Sequence, residues 1–88
     1  MKIPDKIKVG GQVYQVKLIK GLIDSGNTDT KNNIVLLKNE MVDSEKESTL
    51  LHEIIEIINE NNDLQLEHQT IQTLENCLYQ VLKDNFNL

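Results

Sequence analysis

The spacing of the apolar residues changes near residue 44, and this change constrains the fold more than any other feature of the sequence. Before it, Ile7, Val9 and Val13 alternate with polar residues in the segment KIKVGGQVYQVKLIK, which is the two-residue period of a β-strand. After it, apolar residues recur at helical spacing: Leu51, Ile54, Ile55 and Ile58. Strands followed by helices are typical of an α+β domain.

Turn signals divide the first half into strands. Gly10 and Gly11 separate the two alternating runs, and paired glycines supply the positive φ angles of a tight turn, so we predict an N-terminal β-hairpin. The polar segment that follows predicts a strand ending near Ser25, a turn at Lys31–Asn33 and a short strand over 34–37. We therefore expect a sheet of three to four antiparallel strands.

Two helices are predicted in the second half, packed on each other and against the sheet. Ser44 and Glu47 have the S-x-x-E spacing of a capping box, which predicts that a helix begins there. The polar run NENND at 59–63 ends it. We predict the two helices at about Glu45–Glu60 and Glu67–Lys83, with the final DNFNL as a fraying tail.

Composition and charge limit the classes of partner. The 88 residues predict a single domain over 1–88. Residues 1–38 hold seven Lys against three Asp, whereas 39–88 hold two Lys against eleven Asp and Glu, which predicts a basic sheet packed on acidic helices. The chain has no arginine, so we expect no anionic membrane partner and no nucleic acid. With no signal peptide and no long apolar run, we expect a cytoplasmic protein.

The segment TLLHEIIEII contains the residues of the first helix that could bind a metal ion and activate water. His52 and Glu56 are four residues apart, so they lie on the same helical face and could offer two donors to one metal ion. Glu53, next to the first ligand, is then placed to act as a general base on a water molecule. The alternative is an ordinary solvated polar face of an amphipathic helix.

A third ligand would come from the second helix. His68 precedes Ile71 by three residues, which puts it on the inward side, and an antiparallel helical hairpin would return it towards Glu56. Two histidines and one carboxylate form a catalytic zinc set with the fourth position left for water, and they also form the triad of non-haem iron. The alternative for His68 is a packed or capping residue at a helix start.

The segments TLLHEIIEIIN and LEHQTIQTLENCLYQVLKDN resemble a group of small phage and prophage proteins of Gram-positive bacteria. These look like a minimal HExxH-type, zincin-like metallopeptidase core, and the likeness covers nearly the whole chain. It implies a zinc cofactor, His52 as the first metal ligand and Glu53 as the general base. Glu56 stands where zincins have their second histidine, which departs from the peptidase pattern. A histidine equivalent to His68 recurs in the phage group.

Two functions of different classes follow from the resemblance. The first is a zincin-like metalloprotein that acts as a minimal metallopeptidase or amide hydrolase in the cytoplasm of a bacterial host. The alternative is a non-catalytic phage accessory protein that binds and inhibits a host defence protein through its acidic helical face. Either function implies a protein or peptide partner. A homodimer is compatible with both, because self-association lets a small domain bury extra surface.

Overall fold

The computed structural model describes residues 2–86 and confirms an α+β fold, with a four-stranded mixed sheet followed by two helices. In chain order the elements are β1 (Lys6–Val9), β2 (Gln12–Ile19), β3 (Gly26–Asp29), β4 (Ile34–Lys38), α1 (Asp43–Asn61) and α2 (His68–Phe86). The strand order across the sheet is β1-β2-β4-β3, so β1 and β3 are the edge strands. Neither helix has an apolar stretch long enough to cross a membrane, within the part of the chain that is described.

The N-terminal hairpin is confirmed. Gly10 and Gly11 have φ angles of 58° and 84°, as a two-residue turn with both central residues at positive φ requires. The predicted turn before β4 is confirmed as well. There the Asp29 carboxylate accepts hydrogen bonds from the backbone N–H groups of Lys31 and Asn32. Local turn chemistry therefore fixes both antiparallel pairs, β1 with β2 and β3 with β4.

The expectation of a fully antiparallel sheet is wrong for the central pair. β2 and β4 run parallel, with the pairing extending from Gln15 opposite Ile34 to Ile19 opposite Lys38. The connection between them contains β3, which turns back on β4, so β4 runs in the same direction as β2. The strand predicted to end near Ser25 is also wrong: β2 ends at Ile19, residues 20–25 form turns and bends, and the next strand, β3, begins only at Gly26.

The helices form two further layers. α1 packs on one face of the sheet, and α2 packs on α1. Between the sheet and α1 lies a core of aliphatic residues and one tyrosine: Val9, Tyr14, Val16, Val35, Leu37, Leu50 and Ile57. Because α1 is the middle layer, its buried side chains face either the sheet or α2, whereas others, such as Ile58 and Glu60, are exposed.

The start of α1 differs from the prediction. The residue that precedes the helix is Val42, and no side chain caps the N-terminus, so the predicted capping box is wrong. Glu47 is buried instead, and its Oε1 atom accepts hydrogen bonds from the Tyr79 hydroxyl and the Lys83 ammonium of α2. A glutamate that looks like a local cap in the sequence therefore makes a tertiary contact.

The end of α2 also differs from the prediction. The helix continues to Phe86, so residues 84–86 are helical and not a fraying tail. Residues 87 and 88 of the predicted tail lie outside the described part of the chain. The remaining boundaries of both helices fall within two residues of the predicted ones.

Candidate metal centre

The three metal ligands predicted from the sequence come together. His52 and Glu56 are one turn apart on α1, and the distance from His52 Nε2 to Glu56 Oε2 is 3.7 Å. His68, the first residue of α2, completes the group. One ligand atom from each of the three residues lies within 4.8 Å of the other two. The group therefore has the composition and proximity of a site that could hold a metal ion.

The separations suit a small metal ion after modest side-chain rotation. In a tetrahedral zinc site with Zn–N distances of about 2.0–2.1 Å, neighbouring ligand atoms are about 3.3 Å apart. The His52–Glu56 distance of 3.7 Å is close to this value. His68 is exposed and Glu56 is partly exposed, so both side chains have room to rotate inward. Two imidazoles and a carboxylate also leave a fourth position open.

The loop between the helices brings His68 back to α1. Asn59 organises this loop, since its side-chain oxygen accepts a hydrogen bond from the backbone N–H of Leu66 at 2.9 Å. Two non-glycine residues of the loop adopt positive φ angles: Asp63 (49°) and Gln65 (57°). The loop therefore reverses the chain tightly, and the ring centroids of His52 and His68 are 5.6 Å apart.

Glu53, the predicted general base, lies between α1 and the edge strand β3. It is only 8% exposed, and its Oε1 atom accepts a hydrogen bond from the Thr28 hydroxyl at 2.7 Å. Burial raises the pKa of Glu53, and the hydrogen bond from Thr28 partly opposes that rise. Gly26 allows β3 to lie this close to α1, because a Cβ atom at residue 26 would lie 2.6 Å from the Cγ2 atom of Thr49.

A polar cavity of about 630 Å³ opens beside these groups. It is lined by the three candidate ligands, by Glu53, by residues 26–28 of β3 and by the polar residues Asn59, Glu60, Asp63 and Gln65. A second cavity of about 290 Å³ shares His52, Glu53 and His68 and extends to Glu75. No lysine of residues 2–86 lines either cavity.

Glu75 of α2 is a further member of the cluster that sequence reasoning missed. It is 8% exposed, and its Oε1 atom lies 2.8 Å from His52 Nδ1. The Ser48 hydroxyl donates a hydrogen bond to its other oxygen, Oε2. One signal could have identified it: Glu75 follows Ile71 by four residues, so it lies on the buried face of α2, where a charged residue is unexpected.

No protein-family model matches the chain, and no curated protein or solved structure is significantly similar to it. The relationship to zincin-like phage proteins, the identity of the metal and the cytoplasmic location therefore stay predictions from the sequence.

Proposed function

We propose that this protein is a zincin-like, zinc-dependent hydrolase of peptide or amide bonds. His52, Glu56 and His68 would hold the metal, and Glu53 would be the general base. The observation that carries this proposal is the meeting of the three ligand groups and Glu53 in one cavity.

The balance of charge around His52 supports a cation. Glu53 and Glu75 are each 8% exposed, and Glu56 is a third carboxylate beside the same histidine. Neither cavity is lined by a lysine among the described residues. Buried carboxylates are normally paired with a cation or bound to a metal. A divalent ion held by His52, Glu56 and His68 would offset much of this negative charge.

The position of Glu53 supports a role in proton transfer. When bound, zinc polarises a carbonyl oxygen and lowers the pKa of a water molecule. Glu53 would accept the proton of the attacking water and deliver it to the leaving amine. The hydrogen bond from Thr28 holds one oxygen of the Glu53 carboxylate, which orients the group in the cavity. Its raised pKa makes the carboxylate a stronger proton acceptor than an exposed glutamate.

The edge strand beside the cavity supports a peptide substrate. β3 is an edge strand, and residues 26–28 of it line the cavity. The opposite edge strand, β1, carries Lys6 and Lys8, and lysines on an edge discourage strand addition. β3 has the sequence GNTD, with no lysine, so its outer edge could receive an extended peptide by strand addition.

The metal site is tested by the zinc content of protein purified without a histidine tag. We expect about one zinc ion per chain, measured by mass spectrometry, and loss of that zinc in His52→Ala, His68→Ala and Glu56→Ala. Glu60→Ala is the matched control, because Glu60 lies one turn further along α1 in the same cavity. Wild-type protein that is empty and takes up no added zinc would contradict the proposal.

Catalysis is tested separately with fluorescein-labelled casein as the probe. We expect zinc-loaded wild-type protein to release acid-soluble fluorescence, and the Glu53→Gln variant to keep its zinc but lose this activity. A zinc-loaded Glu53→Gln variant that cleaves casein as fast as the wild type would exclude Glu53 as the base.

The segregation of charge favours a second candidate function, the non-catalytic accessory protein. Exposed acidic residues concentrate on the helices and the loop between them: Asp43, Glu45, Glu60, Asp63, Glu67 and Asp84. Lysines concentrate in residues 1–38. Such a protein would bind a basic host partner through the acidic face. Replacing Glu67 and Asp84 by lysine would then abolish its biological effect, whereas His52→Ala would leave that effect intact.

A further inference from the structure

We infer that Glu75 is a positioning residue that fixes the ring of His52 with Nε2 directed at the metal. This inference rests on the proposed metal site and adds a residue to it from the second helix. Glu75 is buried, and it contacts α1 at Ser48 and His52.

The hydrogen bonds around Glu75 define the proton position on His52. A carboxylate only accepts hydrogen bonds, so the serine hydroxyl and the imidazole must both donate to it. The single N–H of a neutral imidazole is therefore on Nδ1, where Glu75 Oε1 is 2.8 Å away. The lone pair is left on Nε2, which is the nitrogen that faces Glu56 at 3.7 Å. This is the tautomer that His52 needs in order to bind a metal through Nε2.

Glu75 also ties together the two helices that supply the ligands. It lies seven residues after His68 on α2, so the two side chains project from the same face of that helix, two turns apart. Through His52 and Ser48 it bonds to α1, which carries the other two ligands. Metal-binding histidines commonly donate their second N–H to a carboxylate, and loss of such a partner weakens metal binding by roughly 10- to 100-fold.

A merely structural bond between the helices would affect stability and nothing else. The distinguishing measurements are the tautomer of His52 in metal-free protein, read from ¹⁵N–¹H correlations of a neutral ring, and the zinc dissociation constant from competition with a chelator. Glu75→Gln keeps a carbonyl oxygen that can accept from Nδ1, whereas Glu75→Ala keeps no acceptor. Asn76→Ala, at the next, exposed position of α2, is the matched control.

We expect the Nδ1–H tautomer in the wild type, in Glu75→Gln and in Asn76→Ala, and a mixture of tautomers in Glu75→Ala. Zinc binding should weaken roughly 10- to 100-fold in Glu75→Ala, less in Glu75→Gln, and not at all in Asn76→Ala. Circular dichroism verifies that each variant is folded, and Glu75→Gln, which keeps the side-chain length, keeps the inference testable if Glu75→Ala unfolds.

Two results would overturn the inference. One is a Glu75→Ala variant with the wild-type tautomer and the wild-type zinc affinity. The other is complete loss of zinc in Glu75→Gln, as in His52→Ala, because Glu75 would then be a ligand and not a positioning residue. Wild-type protein that binds no zinc removes the proposed function, and the tautomer in the same metal-free samples still decides whether Glu75 sets the ring of His52.

Discussion

Two buried glutamates stand at the interface between α1 and α2, and their charges are balanced in different ways. In the Glu47 cluster, formed by Glu47, Tyr79 and Lys83, the carboxylate accepts bonds from a phenol at 2.6 Å and from an ammonium at 3.2 Å. In the Glu75 cluster, formed by Glu75, His52 and Ser48, the partners of the carboxylate are an imidazole and a hydroxyl. The first cluster contains a permanent cation, and the second does not.

We interpret this difference as the distinction between a structural contact and the proposed metal site. Burial acts to raise the pKa of Glu47, but hydrogen bonds that include those from Tyr79 and Lys83 outweigh it and hold that pKa below its ordinary value. The same contact raises the pKa of Tyr79 to about 12. The Glu47 cluster is thus complete within the protein. Glu75 lines the second cavity together with Glu53, and Glu56 lies 3.7 Å from the histidine of the Glu75 cluster, so three carboxylates with no lysine of residues 2–86 lining their cavities favour an external cation.

Zinc should stabilise the protein through His52, Glu56 and His68, on the side of the Glu75 cluster and not of the Glu47 cluster, and this is the largest effect we expect. A ligand present at 100 times its dissociation constant contributes about 2.7 kcal/mol to the free energy of unfolding. In a domain of this size that raises Tm by roughly 10–20 °C. Calorimetry of metal-free protein with and without zinc should show this rise in the wild type and in Tyr79→Phe. A rise of equal size in His68→Ala would show that zinc acts elsewhere.

Gly26→Ala should damage the metal-site side of the molecule and leave the Glu47 cluster intact. The added Cβ would lie 2.6 Å from Thr49 Cγ2 and 3.3 Å from Glu53 Oε2, which forces β3 away from α1. Overpacking of this kind costs about 1–3 kcal/mol of stability, which urea unfolding would measure. Thr49→Ser removes the methyl group that clashes, so the double variant should recover part of the loss. No recovery would mean that the strain is not at Thr49.

Tyr79→Phe and Ser48→Ala form a matched pair, because each removes a hydroxyl that donates to a buried carboxylate. Each should lower the free energy of unfolding of the metal-free protein by roughly 1–2 kcal/mol, through the lost bond. Only Ser48→Ala should also weaken zinc binding, since Ser48 helps to hold Glu75 against His52. Equal zinc affinities in the two variants would remove the functional distinction between the clusters.

The sequence predicts those features of the candidate site and of the sheet that depend on local spacing. The i,i+4 relation of His52 and Glu56 follows from helical geometry, and the short return between two helices brings His68 near them. The hairpin at Gly10 and Gly11 is equally local, because two positive φ angles define the turn. Each of these features involves neighbours in the chain or two consecutive elements.

The remaining features depend on contacts between distant segments. Glu47 has the spacing of a helix cap, but the packing of α2 on α1 places Tyr79 and Lys83 beside it. Glu75 is one glutamate among many in an acidic half, and only that same packing reveals its bond to His52. The parallel pairing of β2 with β4 is also non-local. The intervening strand, β3, has the polar sequence GNTD, which lacks the alternation of apolar and polar residues that would predict a strand there.

The smallest effect we expect is on the pH dependence of the free energy of unfolding, to which Glu47 and Glu53 should contribute with opposite signs. Urea unfolding of metal-free protein between acid and neutral pH would measure it. The pKa of Glu47 is lowered on folding, so its contribution to stability is present above its unfolded pKa and is lost as the pH falls through its folded pKa. Glu47→Gln should therefore flatten the loss of stability in acid.

The pKa of Glu53 is raised on folding, mainly by burial, so the sign is reversed. The folded protein binds the proton of Glu53 more tightly than the unfolded chain does, and stability falls as the pH rises towards that raised pKa. Glu53→Gln removes the ionisation, so the metal-free variant should be more stable than the wild type at neutral pH. A lower stability of Glu53→Gln there would mean that the Glu53 carboxylate is already balanced within the protein, as Glu47 is.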